Sequence, residues 1–263
     1  MDVCIAVLTE AISAIAGEQV KLHAHIDDKG KAWKLDVTSL LAFSLLGHRP
    51  HRLSALKTAT AQGNESAESQ RKEIFMIPEE FLDPAFDFDF TNKSGPDDGC
   101  MRGGEPYQRP YGWKRFAFNV LNKYPDGNHW LGADEWRSCS SPGEWPVCYY
   151  GASLEVGEVI IKSPYDERLY ESYGNGKLYE RGVYSSPDIT MTNKYCKRFT
   201  SKKNGKTYDV ILQCRINPEK RKALLKNKVW LVKVPEGTST VRERAIVDSA
   251  IRPYGLLLQE VKK

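Results

Sequence analysis

The chain has 263 residues, of which 41% are hydrophobic and 27% are charged, so we expect a packed core and not a disordered chain. The formal net charge of +4 is mild and gives only weak evidence for a nucleic-acid partner. Six cysteines lie far apart, with no C-x-x-C pair. This spacing predicts isolated thiols in a reducing compartment and argues against a disulfide framework or a zinc site.

The N-terminal region is predicted to be helical. Ile5, Leu8, Ile12 and Ile15 recur at helical spacing and Gly17 follows them, which predicts an amphipathic helix that ends there. A strand-like piece over 20–26 contains His23 and His25, which we interpret as solvated imidazoles and not as metal ligands. A second helix is predicted from an Asp36 cap to Leu46.

Hydrophobic residues nearly vanish between 58 and 72, as is typical of a linker. We therefore divide the chain into an N-terminal helical segment (1–60), a linker (61–72) and a larger domain (73–263). No apolar run is long enough to span a bilayer, because the longest, over 40–46, is short and contains a serine. The start Met-Asp, the lack of a basic region and Glu10 argue against a cleavable signal peptide.

The larger domain begins with extended segments. Phe and Asp alternate strictly over 86–90, which predicts a strand with one buried face, with paired carboxylates for metal or acid–base chemistry as the alternative. A loop is predicted over 94–112 and a helix over 113–123. Further on, we expect core strands over 208–213 and 251–258, and helices after Pro187 and over 219–225.

Four short stretches place a glycine or a small hydroxyl residue at the edge of an apolar strand, where the backbone can approach a flat polar ligand. They are YYGAS (149–153), RGVYSSP (181–187), QCRI (213–216) and IRPYGLLL (251–258). Their order and spacing resemble the nicotinamide-binding core of the ADP-ribosyltransferase superfamily. Cleavage of NAD+ at its nicotinamide bond needs a glycine to hold the carboxamide, an aromatic ring on the pyridinium and a carboxylate near the ribose.

The resemblance implies a role for each motif residue. Gly151 matches the glycine that holds the carboxamide, and Tyr184 matches the tyrosine that stacks on nicotinamide. Tyr150 stands where the PARP-like branch has histidine and the toxin-like branch has arginine. The remaining residues implied on the cofactor side are Ser153, Ser185, Ser186 and Tyr254.

The catalytic carboxylate is the largest departure from this pattern. Relatives carry a catalytic glutamate in the last strand, where this chain has no acid over 251–255. The candidates are Asp134, Glu135, Asp188, Glu219 and Asp248. We favour a pair from two segments, with Glu219 as the glutamate and Asp188 as its partner. The alternative for Asp188 is a carboxylate that only complements the dipole of the helix after Pro187.

Residues 73–263 as a whole resemble the CteC-like group of PARP-like mono-ADP-ribosyltransferases. Other matching motifs are FDFDFT (86–91), RGG (102–104), PYGWKR (110–115), WLG (130–132) and GEWPV (143–147). The resemblance implies an α+β ADP-ribosyltransferase fold, with a split β-sandwich core and a small N-terminal helical appendage. It implies NAD+ as co-substrate without a metal, and transfer to a threonine of ubiquitin, which would block ubiquitination.

The same resemblance implies a monomeric bacterial effector that acts in the host cytosol without membrane association. Residues 1–60 are then the candidate for gripping ubiquitin, although they equally suit a helical cap that completes the core. The alternative function is a catalytically inactive protein-binding module of the same fold, favoured by the missing histidine and the acid-free last strand. Modification of nucleic acid is a third possibility, which the mild net charge makes least attractive.

Overall fold

The computed structural model describes residues 3–22, 32–41, 74–92, 95, 99–132, 141–151 and 181–262. These residues combine helices with several β-sheets, which confirms the α+β class expected from the sequence. Within these ranges no helix is long and apolar enough to cross a membrane.

Of the described elements, the longest helix lies at the start of the chain, and the two longest strands lie in its last quarter. The helices are α1 (Ile5–Ala16), α2 (Ile189–Thr192) and α3 (Thr240–Asp248). The strands are β1 (Gln19–Leu22), β2 (Ala32–Lys34), β3 (Ile74–Ile77), β4 (Phe88–Asp89), β5 (Met101–Arg102), β6 (Glu105–Pro106), β7 (Lys114–Ala117), β8 (Val147–Tyr150), β9 (Gly182–Ser185), β10 (Lys197–Thr200), β11 (Thr207–Ile216), β12 (Lys222–Leu224), β13 (Val229–Lys233) and β14 (Ile251–Glu260). Short 3-10 helices span Val37–Ser39, Glu79–Phe81, Pro84–Phe86, His129–Leu131 and Asn193–Tyr195.

Strand β11 organises the largest sheet, in which all pairs are antiparallel. One edge of β11 pairs with β14 along nearly its whole length, and β7 and then β4 continue the sheet beyond β14. The other edge of β11 is shared by β10, which reaches Lys197↔Val210, and by β8, which starts from Tyr150↔Leu212. Strands β8 and β10 therefore lie end to end, with one β11 residue between them.

A second antiparallel sheet has the order β12-β13-β9. It meets the large sheet at one bridge, where Tyr149 N donates to Ser186 O over 2.8 Å and Ser186 N donates to Tyr149 O over 3.0 Å. The chain leaving β9 is thus fixed directly to β8.

The N-terminal elements pack against the larger domain. Strands β1 and β2 flank β3 in parallel, and α1 contacts β10 and β11. Buried α1 residues such as Ile12 and Ile15 belong to the same hydrophobic cluster as Leu212 and Leu258. The described parts of residues 1–60 and 73–263 therefore share one core. The division of the chain into two units and a linker stays a prediction.

Several predicted elements are confirmed. Helix α1 ends at Gly17, which adopts the left-handed conformation at φ 74° and donates its N–H to Ser13 O. Asp36 accepts the N–H of Thr38 over 3.0 Å at the start of a 3-10 turn. Residues 42–46 of the helix predicted to reach Leu46 lie outside the described residues, as do His23 and His25. Strands β3, β11 and β14 occupy the segments predicted for them.

Two predicted helices are wrong. Residues 114–117 form β7, because they pair with β14 from Leu258 to Gly255. Residues 222–224 form β12, which pairs with β13. The next three residues, 225–227, have a left-handed backbone conformation. In both cases strand pairing outweighs local helix propensity: β7 pairs with the distant strand β14, and β12 pairs with β13 in a hairpin.

The Phe–Asp repeat is not a regular strand with one buried face. Phe86 ends a 3-10 turn and is 54% exposed, only Phe88 and Asp89 form β4, and Phe90 is buried. Asp87 accepts the N–H of Ala117 over 2.8 Å and Asp89 accepts that of Thr91 over 2.8 Å. These two carboxylates therefore have backbone partners of their own.

A buried ion pair fixes the chain where it enters β8. Arg215 of β11 and Glu144 are each 6% exposed, and Arg215 Nη1 lies 2.8 Å from Glu144 Oε1. The same guanidinium donates to the carbonyl oxygens of Trp145 over 2.6 Å and Leu131 over 2.9 Å. Breaking a buried pair by removing one partner costs several kcal/mol, so this contact holds the start of β8 firmly in register.

The carboxylate of Asp248 lies at the end of α3, where this helix packs against residues 37–39. Burial raises the pKa of Asp248 to about 6, although Arg244 and Arg252 oppose the shift; Asp36 adds to it. Because the folded state binds this proton more tightly than the unfolded chain, the group favours folding below pH 4. Stability is lost as the pH rises towards 6.

We therefore predict that Asp248→Asn removes this pH dependence. The free energy of unfolding of the variant should rise relative to the wild-type protein by about 1–3 kcal/mol between pH 4 and pH 6, at 1.36 kcal/mol per pKa unit, and stay level above pH 6. Urea titrations across this range measure the difference. Glu236→Gln, which removes an exposed carboxyl group, is the control. Parallel curves for wild type and Asp248→Asn would contradict the prediction.

Candidate functional site

A small pocket lies at the junction of the two sheets. Its walls come from the ends of β8 and β9, from the start of β13, and from α2 with the turn that follows it. The lining residues are Tyr149, Gly151, Tyr184, Ser185, Ser186, Met191, Thr192, Tyr195 and Val229. The fold thus brings together four of the residues selected from the sequence, namely Gly151, Tyr184, Ser185 and Ser186.

Gly151 has no room for a side chain. A Cβ atom there would lie 2.5 Å from the carbonyl oxygen and 2.9 Å from the Cβ of Tyr195. The cause is the arrangement of the large sheet, since β8 ends and β10 begins on the same edge of β11. Glycine is therefore required at position 151, because any larger residue would collide with the backbone of Tyr195.

The tyrosine of β8 that faces the pocket is Tyr149 and not Tyr150. Successive side chains of a strand point to opposite faces, and Tyr150 packs into the main hydrophobic core on the other face. The hydroxyl of Tyr149 donates to the carbonyl oxygen of Gln108, and burial raises the pKa of Tyr149 well above its usual value. The motif alone does not distinguish these two neighbours.

The two serines of the pocket wall bond to the β12–β13 hairpin. Ser185 Oγ donates to Trp230 O over 3.3 Å, and Ser186 Oγ donates to Lys228 O over 2.7 Å. Ser186 Oγ also accepts the N–H of Asp188 over 3.0 Å. These bonds hold β13 against β9 and fix the chain as it turns into α2.

The proposed carboxylates do not line the pocket. Asp188 is the N-cap of α2, and its Oδ1 accepts from Thr190 N over 2.8 Å and from Thr190 Oγ1 over 2.6 Å. Glu219 is exposed in the turn after β11, beyond the β11 residues that pair with the start of β8, whereas Gly151 follows the opposite end of β8. None of the described residues that line the pocket is acidic.

The other candidates lie elsewhere. Asp248 is on α3, and Ser153, Asp134 and Glu135 fall outside the described residues. Tyr254 is not part of the pocket wall either.

Tyr254 sits where the pairing of β11 with β14 shifts register by one residue. Its ring lies 5.4 Å from the guanidinium of Arg215 and 5.8 Å from that of Arg115. Burial raises the pKa of Tyr254 above its usual range. This tyrosine therefore contributes to packing between two arginines of the large sheet, and the pocket has no contact with it.

The pocket encloses about 20 Å³, which is room for roughly one water molecule. Nicotinamide is several times larger. The kinds of residue present suit a nicotinamide group, but the enclosed volume in this conformation does not. In the parts of the chain that the structure describes, no group of three or more His, Cys, Asp or Glu side chains is placed to hold a metal ion.

Comparisons with known proteins do not assign this chain to a family. No protein-family model matches the sequence, and no curated protein matches it. The resemblance to ADP-ribosyltransferases therefore rests on the sequence motifs.

We predict that Gly151→Ala destabilises the protein by about 2–3 kcal/mol, because the added methyl group forces two packed backbones apart. Gly237→Ala is the control: this glycine has a φ of 74° but no atom within 4 Å of an added Cβ, so only backbone strain of about 1–2 kcal/mol is expected. Urea unfolding measures both. A loss for Gly151→Ala no larger than that for the control would show that the contact with Tyr195 is not tight.

Proposed function

We propose that this protein is an NAD+-dependent mono-ADP-ribosyltransferase. The observation that carries the proposal is the meeting of Gly151 with Tyr184, Ser185 and Ser186 in one pocket at the junction of two antiparallel sheets. The motif resemblance assigns these residues, from separate segments, to a single nicotinamide site. An accidental match of the motifs would give no reason for these residues to lie together in the folded protein.

In such a transfer, the bond between the nicotinamide nitrogen and C1′ of the ribose breaks. The acceptor hydroxyl oxygen then bonds to C1′, its proton passes to a base, and neutral nicotinamide leaves. The side chains of the pocket suit parts of this task. The Tyr184 ring offers a π face to a cationic pyridinium, and the hydroxyl oxygens of Ser185 and Ser186 retain acceptor capacity for ribose hydroxyls.

The carboxylate that assists the reaction is proposed to be Asp188, with Glu219 as the second candidate. Asp188 follows the pocket residue Ser186 by two positions and bonds to its hydroxyl through the backbone. To take part in the reaction, the Asp188 carboxylate must break its hydrogen bonds to Thr190 and turn towards the reacting groups. Glu219 has less support, because the β11 register separates its turn from Gly151.

The protein acceptor is proposed from the resemblance alone. It is a threonine of ubiquitin, modified by a bacterial effector in the host cytosol, with residues 1–60 as the candidate contact. The packing of α1 into the main core favours the other interpretation of this segment, a helical cap that completes the fold.

A second candidate function is a catalytically inactive binding module built on the same fold. Two observations favour it: the described pocket wall has no carboxylate, and the enclosed volume is about 20 Å³. An inactive module would bind a protein partner without consuming NAD+.

The two functions are separated by incubating the full chain with ubiquitin and NAD+ labelled in its adenosine half. We expect label on ubiquitin, and a loss of about tenfold or more in rate for Tyr184→Ala, because a cation–π contact is worth ~1–2 kcal/mol when desolvated. Tyr184→Phe keeps the ring face and should retain most of the activity. Tyr111→Ala, in the loop before β7, is the control.

The variants Asp188→Asn and Glu219→Gln identify the acid in the same assay. Loss of transfer in only one of them assigns the catalytic carboxylate. Partner binding without any transfer by the wild-type protein would refute the enzyme and support the inactive module.

A further inference from the structure

The pocket is narrowed at Gly151 by a segment that belongs to its own wall. Residues 189–195, the α2 segment, consist of α2 and the 3-10 turn that follows it. The carbonyl oxygen of Tyr195 lies only 2.5 Å from the position of a hypothetical Cβ on Gly151. A ligand that approaches Gly151 from this side must therefore displace the carbonyl.

The start of the α2 segment is held by a residue distant in sequence. Gln108, in the loop between β6 and β7, accepts the N–H of Ile189 with its side-chain Oε1 over 2.9 Å. Ile189 itself is 5% exposed and packs in a small cluster with Trp113 and Tyr149. The amide group of Gln108 thus fixes the first turn of the segment from outside it.

The same residue also contacts a second part of the pocket wall. The backbone carbonyl of Gln108 accepts the hydroxyl of Tyr149 on β8. Tyr149 and the α2 segment both line the pocket. Gln108 therefore bonds to β8 through its backbone carbonyl and to the α2 segment through its side chain.

The far end of the segment meets β10 at Cys196. Cys196 has extended dihedral angles, with φ −63° and ψ 150°, and β10 begins at the next residue with its pairing to β11. Rotation at Cys196 would move Tyr195 away from Gly151 and leave β10 in place.

We propose that Gln108 is a positioning residue that holds the α2 segment against Gly151 and keeps the pocket closed until a ligand enters. The identity of that ligand as the nicotinamide group rests on the proposed function, but the closing role of Gln108 does not. Because the binding-competent open form is a minor population, weakening this hydrogen bond raises the open fraction and the apparent affinity by the same factor.

Residue-resolved amide hydrogen exchange of the full chain tests the closing role. In Gln108→Met, which keeps the length of the side chain but lacks the acceptor, the amides of Thr192 and Asn193 should exchange about fivefold faster, as expected for one lost hydrogen bond. Gln108→Glu keeps an acceptor oxygen and should exchange like the wild-type protein. Gln259→Met, which removes a 3.2 Å bond to Gly112 O, is the matched control and should leave both amides unchanged.

Titration with nicotinamide supplies the second measurement. Faster exchange together with about fivefold tighter nicotinamide binding in Gln108→Met supports both the closing role and the nicotinamide site. Faster exchange with no nicotinamide binding in any variant supports the closing role and counts against the proposed function. Faster exchange with unchanged, measurable nicotinamide affinity overturns the closing role.

Unchanged exchange at Thr192 and Asn193 in Gln108→Met also overturns the closing role, whatever the titration shows. If Gln108→Met unfolds globally, exchange will accelerate throughout β11 as well. Tyr149→Phe then replaces it, because this variant removes only the hydroxyl that anchors the Gln108 carbonyl. Local acceleration at Thr192 and Asn193 in Tyr149→Phe supports the proposal, and its absence overturns it.

Discussion

The long strand β11 offers one edge to two shorter strands, and the geometry of the pocket depends on this shared edge. Strand β8 occupies the part of the edge near the end of β11, and β10 occupies the part near its start. Backbone pairing fixes the register of both strands on β11. The residue that follows β8 must therefore lie next to the residues that precede β10. The close contact of Gly151 with the Tyr195 carbonyl follows from this arrangement, and so does the small volume of the pocket.

The second sheet is joined to this edge by polar contacts as well as by apolar packing, since Val183 and Trp230 share one buried cluster with Cys148. The backbone bridge of Tyr149 with Ser186 and the serine bonds to Trp230 and Lys228 hold β9 and β13 beside β8. The resemblance places the same serines on the cofactor side. A single hydroxyl group can both bond to a backbone carbonyl and accept a hydrogen bond from a ligand, so the structural role of these residues is compatible with the proposed one.

Much of the regular structure could be predicted where the local pattern agrees with the final environment. Helix α1 shows a clear apolar periodicity and a glycine stop, and β11 and β14 are apolar runs that become buried strands. The prediction over 113–123 failed because residues 114–117 pair with the distant strand β14. The prediction over 219–225 failed because residues 222–224 pair with β13 in a hairpin. The strand predicted from the Phe–Asp repeat is wrong for a related reason. Asp87 accepts a hydrogen bond from the backbone of β7, thirty residues away, and a contact at this distance leaves no periodic pattern in the local sequence.

The sequence by itself determined the α+β class, the order of the motifs and the residue types that the pocket would contain. The resemblance that its motifs carry pointed to Gly151, Tyr184, Ser185 and Ser186, which line the pocket, and also to Tyr150 and Tyr254, which do not. Only the tertiary structure decided that Tyr149 faces the pocket instead of Tyr150, that Glu219 lies towards the other end of β8, and that Tyr195 fills the space before Gly151. Each of these depends on strand register and facing, which are fixed by pairing with residues far away in the chain.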